Sequence, residues 1–264
     1  LAIDHALVHR RLSQQNNTLL ALNERLRAVE QLKSTLLDIT AHDLRTPISS
    51  IQRIIEIITR DPSIPVERIR SMLDGAVGSA RQAIRILDDL TLLRRVQRGR
   101  SATYHVIDVV TLVIRVAGRF QTQAREHGQS LTVFSTKMPC NVLGEPMLLG
   151  TAISNLIDNA LKYTPDGGQI TIECLREGGT ILVRVRDTGY GITPAALPDI
   201  FNPFYRAAES VSHGIRGTGL GLHIVQQVIQ QHQGRIEVES IPGAGTTFIV
   251  YLPHFDPAAS QSLQ

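Results

Sequence analysis

Two groups of residues in this chain have the types and spacing that phosphoryl chemistry needs. The first is Thr40-Ala41-His42-Asp43-Leu44-Arg45-Thr46-Pro47. An imidazole nitrogen is nucleophilic when its lone pair is free, and Asp43, beside His42, can hold the other ring nitrogen as N–H. Thr46 lies four residues on, one turn along the same helical face. Pro47 cannot donate to the carbonyl of Asp43 and bends a helix there, opening the flank of the histidine to a second domain. Nine histidines are present. Only His42 has this company; His5, His9, His105, His127, His232 and His254 read as structural or solvated.

The second group lies far downstream. Asn155 and Asn159 share a helical face, and two amide oxygens there can organise a hard cation that keeps water and bridges to phosphate oxygens. Lys162 adds a point charge for phosphate and Tyr163 a ring for a base. Asp187 ends an alternating strand and is followed by Gly189 and Gly191. A carboxylate there can accept from an exocyclic amine, while glycines let the backbone approach a flat ring. Gly217-Thr218-Gly219-Leu220-Gly221 opens a helix whose amides can cradle phosphate. Leu222 stands where the dinucleotide fingerprint requires glycine, and no GxxxxGK[ST] string occurs. In order along the chain, these residues describe a phosphate acceptor and a phosphate donor site in one polypeptide.

Composition narrows the classes. With 264 residues, 42% hydrophobic and 19% charged, the chain can form one large or two ordinary folded domains and is not a disordered one. The net charge of +3 is small and spread along the chain, so no nucleic-acid partner is expected. Cys140 and Cys174 have no metal spacing and read as reduced thiols of a cytoplasmic protein. No apolar run suffices for a membrane span. The opening in mid-helix pattern without Met suggests a fragment, whose parent is either soluble or membrane-anchored upstream.

The elements that must position these residues follow from periodicity. Leu12, Leu19, Leu22, Leu26, Val29 and Leu36 form a narrow heptad seam, which needs a partner helix. A parallel homodimeric coiled coil satisfies it most economically; a helix lying on an upstream domain is the alternative. A broader stripe runs through Leu37, Ile39, Leu44, Ile48, Ile51, Ile54, Ile55 and Ile58 to a break at Asp61–Pro65. A second helix is predicted over Val66–Arg98, with Ile69, Leu73, Val77, Ala80, Ile84, Leu87, Leu90 and Leu93 on one side. Two copies of this hairpin make a four-helix bundle. Beyond a linker at Gly99–Ser101 the pattern turns mixed α/β. Strands are expected at Tyr104–Ile107 and Ser130–Phe134 with a helix over Val109–Glu126 between them, then a helix at Glu145–Tyr163. A hairpin of Gln169–Leu175 with Thr180–Arg186 comes next, then a helix at Gly219–Gln231 and strands at Arg235–Ser240 and Thr246–Leu252.

The HDLRTP string of residues 42–47 resembles the phosphoacceptor box of sensor histidine kinases of two-component systems. The NLIDNALKYT string from Asn155, the DTGYGI string from Asp187 and the GTGLGL string from Gly217 resemble that family's nucleotide boxes. Phe201–Arg206 resembles the aromatic box that roots a nucleotide lid, here residues 207–216 with His213 and Arg216. The resemblance runs from about Leu32 to Pro253. It implies a dimeric helical bundle followed by an α/β sandwich of the Bergerat type. The implied layout is a signalling helix at 1–31, a dimerisation and phosphotransfer domain at 32–99, an ATP-binding domain at 102–255 and a tail at 256–264. It also implies an enzyme using ATP and Mg²⁺, a homodimer, and a response-regulator receiver domain as partner. His42 would receive phosphate, Asp43 would act as base or orienting group, and Thr46 would position water for dephosphorylating the regulator. Asn155 and Asn159 would serve the metal. Lys162, Tyr163, Asp187, Gly189, Gly191, Arg216 and residues 217–221 would hold the nucleotide. Glu145 replaces the family's usual Asp, and His223 its usual small residue. A phosphatase-dominant homologue, a nucleotide-binding scaffold and another Bergerat-type ATPase are the alternatives; the last would need a catalytic Glu where Asn155 stands.

Overall fold

The computed structural model describes residues 43–61, 63–98, 104–136, 138–207, 215 and 217–256. His42, the heptad seam, the linker at Gly99–Ser101, His213 and Arg216 lie outside the described residues. Contacts divide the chain into two units, Leu1–Ile86 and Leu87–Gln264.

In the first unit residues 43–60 are helical (α1). The predicted break follows: Asp61 Oδ1 accepts from the Ser63 amide at 2.9 Å and the Ser63 hydroxyl at 2.5 Å, an aspartate turn that competes with helix. These bonds hold the Asp61 carboxyl below its ordinary pKa. The amides of Arg68 and Ile69 then both donate to Pro65 O at 3.0 Å, starting α2, Val66–Arg98. The two helices lie side by side, since a methyl group at Gly75 would sit 3.8 Å from Ile54 Cδ1. The stripe expected on α2 divides into two. Its Leu93 is buried, as are Ile86 and Val96 outside it, whereas its Leu73, Val77, Ile84 and Leu87 are 47–56% exposed.

The second unit begins with the last turns of α2 and is built on a five-stranded sheet of order β2-β4-β5-β7-β6. Its strands are β2 (Ser130–Ser135), β4 (Gln169–Glu177), β5 (Thr180–Asp187), β6 (Arg235–Ile241) and β7 (Gly245–Pro253). β2 and β4 are parallel; the other pairs are antiparallel. Helices α3 (Val109–Gly118), α5 (Pro146–Tyr163) and α6 (Gly221–Gln231) supply the second layer. Leu112, Val113, Leu149, Leu156, Ile157, Ile224 and Val228 from the helices and Ile170, Ile172, Ile181, Val183 and Val250 from the sheet are at most 3% exposed. Each such side chain contributes roughly 1.5–3 kcal/mol of burial.

Two expectations need correction. The single helix over Val109–Glu126 is two, α3 and α4 (Gln121–Glu126). After Gly118 the bonds tighten to the i−3 carbonyl, with Arg119 N on Val116 O at 3.1 Å and Phe120 N on Ala117 O at 3.0 Å, and the axis turns. A short strand β3, Asn141–Gly144, was not expected; it pairs antiparallel with β1 (His105–Asp108) in a separate small sheet.

Candidate functional site

Asp187 is the last residue of β5 and 4% exposed. Its Oδ1 accepts from the amides of Gly189 at 2.8 Å and Thr246 at 3.2 Å. Burial outweighs both bonds and pushes the carboxyl up to about 6. The turn that follows has no room for side chains. A methyl on Gly189 would meet Tyr163 O at 2.2 Å, and one on Gly191, at φ +69°, would meet Ile241 O at 2.1 Å. Tyr190 closes the clamp, its amide donating to Tyr163 O at 3.1 Å and its carbonyl accepting from Gly243 N at 2.7 Å. Asp187 is thereby held between the end of α5 and the β6–β7 turn.

This clamp forms one wall of a cavity. Of the residues singled out in the sequence, Asn159, Tyr163, Asp187 and Gly191 line it. The remaining wall is mainly apolar: Ile192, Ala207, Ile215, Leu222 and Phe248, with Tyr190 and Thr246. Sequence reasoning missed these as site residues because an isoleucine or leucine wall carries no chemical signature. Thr246 was also missed; its amide meets Asp187 only through the β5–β7 register. Of the expected lid, Ala207 and Ile215 are described, and both line the cavity.

The remaining candidates lie around this cavity without lining it. Asn155 Nδ2 reaches Gly221 O at 3.4 Å, joining the asparagine helix to the glycine turn. Lys162 Nζ is ion-paired with Asp158 one turn back and lines an adjoining open hollow with His127, Gln129 and Asp166. Gly219 has φ +71° and lies against Phe204, where a methyl would come within 2.6 Å of the backbone. Thr218 Oγ1 donates to Asp89 Oδ2 at 3.1 Å and accepts from Leu220 N at 3.2 Å. α6 begins at Gly221, two residues later than expected, with no side-chain cap on its first amides. Gly217 faces open space and Leu220 is buried. His223 donates from Nδ1 to Phe201 O at 3.0 Å, and burial lowers its pKa. Phe201 meets the cavity residue Phe248 edge to face at 6.5 Å.

Behind the asparagine helix, Glu145 precedes α5 and its carboxylate pairs with Arg95 at 2.5 Å. Its amide donates to His232 Nε2 at 3.0 Å, while His232 Nδ1–H donates to Val228 O at 2.7 Å. That pattern requires the neutral ring, which burial also favours.

No group of three or more His, Cys, Asp or Glu side chains able to hold a metal occurs among the described residues. Asn155 and Asn159, both half-buried on one face of α5, offer hard amide oxygens. These fit a small cation that takes its other ligands from water and phosphate. In the first unit Asp43 is half-buried and Thr46 exposed on α1, and Pro47 is buried.

Comparison with known proteins agrees with this geometry. Residues 32–99 match the His Kinase A (phospho-acceptor) domain, and residues 144–256 match the histidine kinase-, DNA gyrase B- and HSP90-like ATPase domain. Sensor protein SrrB of Staphylococcus aureus is 32% identical over 227 residues, covering 85% of this chain and 39% of the relative. The chain thus spans about two-fifths of the length of that relative. Among solved structures, a mycobacterial sensor histidine kinase, MprB, is 29% identical with a TM-score of 0.50, covering 58% of this chain and 98% of its own. Histidine kinase ThkA, solved in complex with response regulator protein TrrA, is 21% identical with a TM-score of 0.66. It covers 88% of this chain and 64% of its own, a likeness of fold.

Proposed function

Because the chain belongs to the sensor histidine kinases and carries both of their core domains, we propose that it transfers the γ-phosphoryl of ATP to His42. The phosphohistidine then serves an aspartate on a response-regulator receiver domain. The observation that carries the reading is Asp187, a buried carboxyl with both of its amide bonds on Oδ1 at the wall of an otherwise mainly apolar cavity. Its second oxygen is the acceptor for the exocyclic amine of adenine, and Tyr163, Ile192, Leu222 and Phe248 enclose the ring. Guanine would instead present a carbonyl oxygen to this carboxylate and is rejected.

The phosphates extend from the cavity toward the glycine turn, where Gly217, Thr218, Gly219, Leu220 and Gly221 present backbone to them and Arg216 and Lys162 add charge. Lys162 must exchange Asp158 for phosphate to do so. Asn155 and Asn159 hold Mg²⁺, which neutralises phosphate charge when bound. With little covalent chemistry for the protein to perform, this chain's part is positioning. Asp43 holds the His42 ring with a free lone pair, and Thr46 places water for the reverse, dephosphorylating reaction. The functional domains are residues 32–99 and 102–255, preceded by a signalling helix. The exposed stripe of Leu73, Val77, Ile84 and Leu87 is the face that meets a second copy in a homodimeric bundle.

The test is autophosphorylation with γ-labelled ATP. Wild type takes up acid-labile label, and His42→Gln takes up none while binding ATP as before. Label persisting in His42→Gln refutes the acceptor assignment.

A further inference from the structure

Residues 196–205, which lead into the aromatic box, form a run of turns whose own backbone bonds are local. Asp199 N donates to Ala196 O at 3.0 Å, Asn202 N to Asp199 O at 2.8 Å and Tyr205 N to Asn202 O at 3.2 Å. Bonds that reach back only three residues shape such a segment without fixing its place on the domain. Two hydrogen bonds of longer range tie it down. Phe204 N donates to Gly219 O at 3.0 Å. His223, in the first turn of α6, donates from Nδ1 to Phe201 O at 3.0 Å. Phe204 has φ +64°, a left-handed backbone that a phenylalanine keeps only when its surroundings hold it there.

The held segment bears on the cavity. The Phe201 ring meets Phe248 edge to face at 6.5 Å. Phe248 lines the cavity, as do Leu222, beside His223, and Ala207, beyond the aromatic turn. We propose that His223 is a positioning residue for the nucleotide. By holding Phe201 O it keeps the aromatic turn, and with it the Phe248 and Ala207 wall, in fixed relation to the glycine turn. The inference rests on reading the cavity as the nucleotide site. His223 does not line that cavity, so it acts through Phe201 rather than on the ligand.

The chemistry of the contact is specific. A carbonyl can only accept, so the ring carries its hydrogen on Nδ1. That nitrogen stands as far along the side chain as the amide nitrogen of an asparagine. The rest of the ring is half-buried bulk on the face of α6. Donor and bulk can therefore be removed separately. His223→Asn keeps a donor at the same position and loses the bulk, and His223→Leu keeps comparable bulk and loses the donor.

The test measures both variants and wild type in two ways. Hydrogen exchange, resolved by NMR, is followed at the amides of Asn202, Phe204 and Tyr205 in the nucleotide-free protein. Binding of ATP with Mg²⁺ is followed by titration calorimetry. In His223→Leu the three amides should exchange about 3–10-fold faster and ATP should bind about 3–10-fold more weakly. His223→Asn should return both quantities to within about twofold of wild type. A residue acting only by filling space would give the reverse order, and that result overturns the proposal. Unchanged exchange in His223→Leu removes the tether, and faster exchange with unchanged ATP affinity removes its role in positioning. The exchange arm involves no nucleotide. A wild type that bound no ATP would defeat the nucleotide reading, and the positioning role with it, while exchange would still decide the tether.

Discussion

Asp187 makes two opposite demands on pH. Its folded carboxyl sits at about 6, above the ordinary 3.8, so the folded state binds the proton more tightly than the unfolded chain does. This contribution to folding is greatest below about pH 4 and is lost as pH rises to about 6, amounting to about 3 kcal/mol at most. The proposed adenine contact uses the ionised acceptor, so ATP affinity should run the other way and weaken as pH falls through about 6; titration calorimetry across that range checks it. Asp187→Asn separates the two. The amides of Gly189 and Thr246 already claim the one oxygen an asparagine offers, which turns its NH₂ toward the adenine amine. ATP affinity should drop about 10–100-fold, while unfolding of the free protein at pH 8 moves to higher temperature. Unchanged affinity would remove Asp187 from nucleotide recognition. The aspartate was legible in the sequence because two close-approach glycines follow it at once. The Thr246 amide was not, because 59 residues separate the partners and only strand register joins them.

At the level of elements, α5 holds the site, and its start is anchored by charge. Glu145 has a side chain 8% exposed, against 53% for Arg95. Removing the arginine leaves a nearly buried carboxylate without its ion-pair partner. Arg95→Ala should cost about 1–3 kcal/mol in denaturant unfolding, and adding Glu145→Gln should recover part of that loss. Equal losses in the single and double variants would show the pair to be inert. A tighter constraint holds at the other end of the helix. Gly189→Ala should destabilise by about 1–3 kcal/mol and lower ATP affinity, since its methyl would overlap Tyr163 O; a neutral effect in thermal unfolding and nucleotide titration would contradict the clamp. The long helices and the β4–β5 and β6–β7 pairs were legible because their periods persist over many residues. β3 was not, having four residues after Pro139 and no alternation to read. The split between α3 and α4 escaped because Arg119 and Phe120 continue an amphipathic pattern that Gly118 interrupts only in its hydrogen bonds.

At the scale of the whole molecule, exposed apolar residues on α2 divide the labour of one helix. Among the described residues Ile86 and Leu93 are buried, whereas Leu73, Val77 and Ile84 are exposed and form the face proposed to meet a second copy. The sequence presented Leu93 and the three exposed residues as one stripe and left Ile86 out of it, since periodicity cannot say which neighbour covers a side chain. Val77→Glu should convert dimer to monomer in light scattering and leave ATP affinity within about twofold of wild type; an intact dimer would move the interface elsewhere. The account as a whole rests on the cavity beside Asp187 supplying the phosphoryl group that His42 receives. The most direct measurement is mapping the phosphate after incubation with ATP, using digestion under alkaline conditions and mass spectrometry. The account predicts acid-labile phosphate on the tryptic peptide of residues 34–45, at His42, in wild type and, at an ATP concentration below the weakened affinity of the variant, much less in Asp187→Asn. Acid-stable phosphate, or phosphate on a peptide bearing another histidine, would contradict it.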